Sequence, residues 1–408
     1  MYEVAARGLQ TKTATIRVRF VPTRFFMSKP ASVNFIYALS TLNGTSVFAA
    51  QVVLSLYALK LGASPFAVGL LAATFSLFPM LLAMTAGNLA DRYGGRWPMT
   101  FGAACGALGL LAPYFFSGMP ALYVAAATSG VSVIFFSLAI QNFIGLLSTP
   151  DTRARNFSNY TITVSVAMFV GPLIAGFSID HSDYATTCLY LAMLTLAPIV
   201  MLMTHGAGLP GGIPRAAKAG GGLKALLSDA AVRRLLLMGS LVNAGVNLYQ
   251  FYMPVYAHSI GISASAIGMI LATNAAAAFI ARILLPQLLE RLGDTRLLTY
   301  TFYIGAANLL LIPFFHDPLS LALISFMFGM GMGCGQPLVI MLMFSNSKDG
   351  RSGEALGLKF ATNQLTKLIC PILCGAIASA FGLPPMFWVN AVLMALGGVA
   401  SRSKKNQR

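Results

Sequence analysis

An all-helical membrane protein of twelve transmembrane helices, laid out as two parallel six-helix repeats, is the fold the sequence predicts. Three observations predict it. Charge is scarce: 9% of the 408 residues are charged and 57% are hydrophobic, whereas a soluble domain needs roughly 25% charged residues to cover its surface. Apolar runs of about 20 residues recur along the whole chain, each long enough to cross about 30 Å of hydrocarbon. The sequence also matches itself when slid by 199 positions, the offset that sets Gln51 against Gln250.

The apolar runs are 33–59, 65–88, 97–117, 119–147, 157–179, 184–204, 235–257, 263–287, 297–315, 318–344, 355–381 and 384–400. Most show no amphipathic stripe, as expected of helices with lipid or another helix on every side. Strands of a membrane barrel would need alternating polar residues, which are not seen. Two pairs of runs are divided only by Ser117-Gly118-Met119-Pro120 and by Gly382-Leu383-Pro384-Pro385, sequences suited to tight turns.

Charge sets the orientation. Every second loop carries Lys and Arg, among them Arg92, Arg96, Arg153, Arg155, Arg215, Lys218, Arg233, Arg291, Arg296, Lys348 and Arg351, while the opposite loops carry essentially only Lys60. Positive loops stay in the cytoplasm, so both termini are expected there, in a bacterial inner membrane. The net charge of +16 is then mainly a topology signal. Nucleic-acid binding would need the positive residues gathered on one soluble surface, so no nucleic-acid partner is expected.

Five cysteines, at 105, 188, 334, 370 and 374, lie inside apolar runs without nearby His or carboxylate. They read as small residues at helix contacts, and no metal or cofactor is expected. The first 26 residues hold five positive charges and one acid and lack the apolar core of a signal peptide. They read as a disordered tail, or as the product of a start codon placed upstream of Met27.

The repeat needs no gap from the first helix to the fifth. Tyr57 meets Tyr256, Gly62 meets Gly261, Ser64 meets Ser263, Gly69 meets Gly268, Arg92 meets Arg291, Gly94 meets Gly293, Pro172 meets Pro371 and Gly176 meets Gly375. A shift by six helices preserves orientation, so the halves are parallel repeats about an axis along the membrane normal. Alternating-access carriers use that arrangement. The domain plan is a tail over 1–30, a bundle over 31–204, a Gly-rich basic linker over 205–232, a second bundle over 233–401 and a tail over 402–408.

The second and third spans are joined by Gly87-Asn88-Leu89-Ala90-Asp91-Arg92-Tyr93-Gly94-Gly95-Arg96. This stretch resembles the Gly-x-Leu-Ala-Asp-Arg-x-Gly-x-Arg signature of the major facilitator superfamily at nearly every position. The second half carries a worn copy, Pro286-Gln287-Leu288-Leu289-Glu290-Arg291-Leu292-Gly293. The resemblance implies a cytoplasmic gate. Asp91 would meet the start of the eleventh span and Glu290 the start of the fifth, each carboxylate favoured by a helix N-terminus. Gly87 would permit close helix approach, and Arg92, Gly94, Arg96, Arg291 and Gly293 would shape the two loops. In the fifth span Gly171-Pro172-Leu173-Ile174-Ala175-Gly176 partly resembles the Gly-Pro-x-x-Gly-Gly motif of exporting antiporters, with a plain helix kink as the competing reading.

Polar residues are costly inside a membrane, which makes them the first substrate candidates. The resemblance implies that the first, fourth, seventh and tenth helices line the cavity, with the second, fifth, eighth and eleventh beside them. On the seventh span Asn243, Asn247 and Gln250 share one face, as do Asn43 and Gln51 on the first. Gln141 and Asn142 lie on the fourth span and Gln336 on the tenth. Gly329, Gly331, Gly333 and Gly335 make the tenth helix thin and deformable, suited either to a gate or to close packing. On the eleventh, Lys359, Asn363 and Lys367 recur every four residues, and Lys367 lies near mid-span. Arg282 is read as snorkelling to the interface from near its helix end.

All eleven acids lie at helix ends or in loops, and so do the four histidines. A lysine without an acid partner favours a solute with a negative group, and coupling then runs either through Lys367 or by solute exchange. The function predicted is secondary transport of small organic solutes by alternating access, in the direction of export. The cargo is drug-, metabolite- or siderophore-like. The expected partners are that solute and the bilayer, with a coupling proton or counter-solute; a monomer suffices. An organic-anion uptake carrier or exchanger is the second reading, and a non-transporting sensor or scaffold with the same fold is the third. Enzymatic chemistry lacks a mid-membrane cluster of His, acid or reactive Cys, and an ATP-driven pump lacks Gly-x-x-x-x-Gly-Lys-Ser/Thr.

Overall fold

Several helices begin and end where the sequence supplies caps and turns. The structure is a computed structural model that describes residues 33–148, 150–206, 209, 230–346 and 352–402. Both tails and nearly all of the linker lie outside the described residues. The first half comprises α1 (Val33–Lys60), α2 (Pro65–Tyr93), α3 (Arg96–Phe115), α4 (Met119–Leu147), α5 (Pro150–His181) and α6 (Tyr184–His205). The second comprises α7 (Ala230–Ser259), α8 (Ala264–Leu292), α9 (Asp294–Leu311), α10 (Pro318–Met332), α11 (Gly335–Asn346), α12 (Ser352–Phe381) and α13 (Leu383–Arg402).

Among the described residues thirteen helices make twelve spans, because the tenth is broken. Its glycines leave two turn residues between Met332 and Gly335, and α10 and α11 continue one another across them. Eleven spans among the described residues are long and apolar enough to cross a membrane by composition alone. The twelfth, α7, has the length, at 30 residues, but its apolarity is diluted by Arg233, Arg234, Asn243, Asn247 and Gln250.

The repeat seen in the sequence is a repeat in three dimensions. Ser64 caps α2 by accepting from the Ala67 N–H at 3.3 Å, and Ser263 caps α8 by accepting from the Ala266 N–H at 3.4 Å. Gly94 closes α2 with φ 75° and Gly293 closes α8 with φ 72°, a left-handed conformation that side chains resist. Outside the repeat pattern, Asp183 caps α6 through the Thr186 N–H at 2.6 Å, and Asp317 caps α10 through the Ser320 N–H at 2.8 Å.

Within the halves α3 lies against α4 and α6, α1 against α5, α9 against α13, and α7 against α12. Between them, α5 packs on α8 and α2 packs on α12, and these two interfaces are repeat mates. Both depend on missing side chains. A Cβ on Gly69 of α2 would collide with the Pro371 carbonyl of α12, and one on Gly268 of α8 would collide with the Pro172 carbonyl of α5. The helices therefore touch backbone to backbone, as small residues permit in lipid.

Candidate functional site

The two halves are joined most firmly at the face opposite the termini, by a pair of repeat-related caps. Asp180 ends α5, and its carboxylate accepts from the Ala264 N–H at 3.2 Å and the Ser265 N–H at 2.8 Å. It also accepts from the Ser265 hydroxyl. A carboxylate in the last turn sits at the wrong end of its own helix dipole, and the free N–H groups of α8 supply the compensation. Its repeat mate on α12 is Ser379, whose hydroxyl accepts from the Phe66 N–H at the start of α2 at 2.9 Å. One interface thus carries a charged cap and the other a neutral one. Asp180 reads from sequence as just another acid at a helix end; only the repeat offset from Ser379 hints at its role.

The amides of the membrane interior divide into two sets. Some join helices within one half. Asn43, 4% exposed, accepts from the Ser132 hydroxyl of α4 at 2.9 Å. Asn243 donates to the Asn363 carbonyl of α12 at 3.0 Å, and Asn247 donates back to the Asn243 side chain at 3.0 Å. Gln336 donates to the Gly239 carbonyl at 3.3 Å. Gln141 bonds the Tyr160 hydroxyl of α5, and Asn142 is half-buried beside it. The other set is less occupied. Gln51 and Gln250 stay part-exposed on α1 and α7, which touch across the axis, but no hydrogen bond joins the two side chains. The Oδ1 of Asn363 is enclosed without a donor.

Three cations of the second half, Lys359, Lys367 and Arg282, lie about two turns or more inside their helices. Lys359 is 5% exposed and donates to Gln336 Oε1 at 2.7 Å, which ties α12 to α11. Lys367 shares its face but has another environment. It stands near the middle of α12, part-exposed, with no hydrogen bond or ion pair among the described residues. Leaving an ammonium bare in hydrocarbon costs a few kcal/mol on insertion scales, so this position requires water or an anionic partner.

Arg282 does not snorkel. The eighth helix continues to Leu292 and carries Arg282 about 15 Å inside its end. Its Nη1 donates across the halves to the Ser165 hydroxyl of α5 at 2.7 Å, and its Nε points to the Gly333 carbonyl at 3.4 Å. The sequence reading took the apolar run to stop at 287, and the five further residues of helix account for the difference.

At the loop between α2 and α3, Arg96 donates to the Leu202 and Met203 carbonyls at 3.0 Å each, closing the C-terminus of α6. Arg92 lies over the Tyr93 ring, 5.3 Å from its centroid. A Cβ on Gly87 would meet no described atom within 4 Å. The Asp91 side chain and the first turn of α12 lie outside the described side chains. Glu290 and Arg291 are exposed, and no partner holds Glu290 among the described residues. Gly171, Pro172 and Gly176 form the crossing surface of α5: Gly171 lies on the α1 backbone, the Pro172 carbonyl meets Gly268, and Gly176 meets the Ala264 carbonyl.

Two pseudo-symmetric bundles, joined at one face by helix caps and bearing unsatisfied polar groups at mid-depth, have the build of a membrane carrier. The chain belongs to the Major Facilitator Superfamily, whose sequence pattern matches residues 36–365. Multidrug resistance protein 1 of Bacillus subtilis (strain 168) is 20% identical over 336 residues, covering 81% of this chain and 85% of that protein. The quinolone resistance protein NorA of Staphylococcus aureus (strain COL) is 22% identical over 360 residues, covering 84% of this chain and 89% of the relative. Among solved structures, that of the nucleoside transporter NupG superposes with a TM-score of 0.77 at 13% identity, covering 91% of this chain and 99% of that one. The fold is therefore that of the superfamily, and the protein is a membrane transporter.

Proposed function

We propose that this transporter exports small organic solutes by alternating access and that its cargo carries a negatively charged group received at Lys367. The observation that carries the reading is the state of Lys367, a mid-membrane ammonium without an acid or hydrogen-bond partner among the described residues. Removing a carboxylate partner from such a position leaves a charge that a solute must neutralise. Gln51 and Gln250, part-exposed where α1 meets α7, are candidates for further neutral contacts. Positive loops place both termini in the cytoplasm. The capped face is then the outer one.

Export is supported by the partial Gly-Pro-x-x-Gly-Gly motif in α5 and by the likeness to the two resistance proteins above. An uptake carrier or exchanger for organic anions is the second reading, favoured by the absence of any acid from the interior runs. Purified protein in liposomes, offered labelled anionic, neutral and cationic solutes with and without a pH gradient, tests both. Movement of an anionic solute that Lys367→Gln abolishes is the expected result. Transport of neutral or cationic solutes that ignores Lys367→Gln and Lys367→Ala would refute the cationic site and move the search to Gln51, Asn247 and Gln250. Accumulation inside whole cells, rather than loss from them, would refute export.

A further inference from the structure

We propose that Arg282 is a second anion-receiving group of the carrier, a guanidinium parked on Ser165 that a carboxylate or phosphate group of the solute takes over. The inference rests on the reading that the cargo is anionic and extends it to a residue on another helix and another interface.

The geometry begins with the donor count. A guanidinium carries five N–H donors and no acceptor. At Arg282 one is given to Ser165 Oγ at 2.7 Å and one is directed at the Gly333 carbonyl at 3.4 Å, a long contact. No carboxylate pairs with it among the described residues, and no other acceptor is recorded for Nη2. Nor is Nη2 sealed away: among the described residues the enclosed, partnerless side-chain atoms are Ser129 Oγ, Thr301 Oγ1 and Asn363 Oδ1. The planar fork of Nη1 and Nη2 is the group that binds a carboxylate or phosphate through two parallel hydrogen bonds. A neutral hydroxyl is a poor permanent partner for it. Ser165 is itself supplied otherwise, since its hydroxyl donates to the Thr161 carbonyl at 2.9 Å.

Position supports the same conclusion. Arg282 lies 18 residues into α8 from Ala264, about 27 Å from the capped face. Lys367 lies 14 residues before the end of α12 at Phe381, about 21 Å from that face. The two cations without an acid partner among the described residues thus stand within about 6 Å of one depth, on two helices of the second half that pack against the first. The third cation, Lys359, is already satisfied by Gln336 at 2.7 Å. Pseudo-symmetry sharpens the point. The repeat mate of Arg282 is Ala83 on α2, and that of Ser165 is Gln364 on α12. Packing alone is met at the related place without any charge, so the arginine is an addition to one interface rather than a requirement of the crossing. Because Ser165 belongs to the opposite half, an anion that captures the guanidinium also releases a bond between the halves.

The test is heat protection of the full-length protein in detergent by sodium benzoate, succinate and inorganic phosphate, with glucose as the neutral control. The half-maximal concentration is read for the parent protein and for Arg282→Gln, Arg282→Lys, Ser165→Ala and Lys367→Gln. Anion protection in the parent should weaken at least tenfold in Arg282→Gln and less in Arg282→Lys, which keeps the charge and guards against misfolding as the cause. Ser165→Ala should leave protection unchanged or strengthen it, because the competing hydroxyl is gone. A purely structural tether predicts something else: Ser165→Ala and Arg282→Gln would both lower the melting temperature and neither would change the anion response. That outcome overturns the proposal, as does loss of protection in Lys367→Gln alone, which leaves the anionic-cargo reading standing. No protection of the parent by any of the three anions overturns both.

Discussion

Removing the Asp180 carboxylate should loosen the capped face of the protein by a calculable amount. In the closed arrangement this one side chain satisfies the N–H groups of Ala264 and Ser265 and the Ser265 hydroxyl. Ser263, the cap belonging to α8 itself, reaches only the Ala266 N–H at 3.4 Å, so it cannot substitute. Loss of a helix cap costs about 0.5–2 kcal/mol, and loss of a negative charge at a helix N-terminus costs about 0.3–1 kcal/mol at exposed sites. The two overlap, and the freed groups regain water when the halves part, so about 1–2 kcal/mol is the net bias toward closure. That is a shift of roughly 5- to 30-fold in the closed-to-open ratio. Asp180→Asn keeps an acceptor and should shift it less. Ser379→Asp should act in the opposite sense, by adding at the start of α2 the charge that its repeat mate has at the start of α8. Spin labels on Lys60→Cys and Ser259→Cys, exposed repeat mates at the ends of α1 and α7, report the separation in a background without the native cysteines. A long-distance population that grows in Asp180→Ala and shrinks in Ser379→Asp is expected. Distance distributions identical to the parent in both variants would show that the cap does not hold the halves together.

Two further perturbations follow from the same contacts. Gly176→Ala and Gly268→Ala place a methyl group against the Ala264 and Pro172 carbonyls; each should prise α5 from α8 and lower the melting temperature, by about 1–3 kcal/mol of overpacking, whereas Gly62→Ala, with open space around it but φ 79°, should cost only its backbone strain. Asp183, in the turn before α6, is held below the usual carboxylate range chiefly by its hydrogen bonds from Thr186. A depressed carboxyl stabilises the fold above its unfolded value near 3.8 and loses that contribution as pH falls through the lower folded value. The melting-temperature gap between the parent and Asp183→Asn should therefore be full at neutral pH and close below about pH 4; a gap that persists in acid contradicts the assignment.

The candidate site was legible in the chain only in part. Lys367 stood out because a charge at mid-span has few bland explanations, and no partner holds it among the described residues. Lys359 shares its helical face and looked equivalent, yet Gln336 of α11 holds it. Asn43 and Asn243 looked like cavity residues and are engaged with Ser132 and with the Asn363 carbonyl. Arg282 and Asp180 were the reverse, residues discounted as terminal that turn out to bridge the halves. Spacing along one helix tells which residues share a face. It does not tell which neighbour that face meets, since the partners stand 23 to 120 positions away in sequence.

By itself the sequence determined the number of spans, their parallel two-fold repetition and the orientation signal. These are properties of hydropathy, self-similarity and loop charge, each readable within one window or at one offset. Only the tertiary structure decided how the repeat departs from symmetry. One interface is capped by a carboxylate and its mate by a hydroxyl, and one crossing holds a guanidinium where the other holds a methyl group. The physical reason is that a polar group in a membrane has no water to fall back on, so its meaning is set by whichever helix the fold brings beside it.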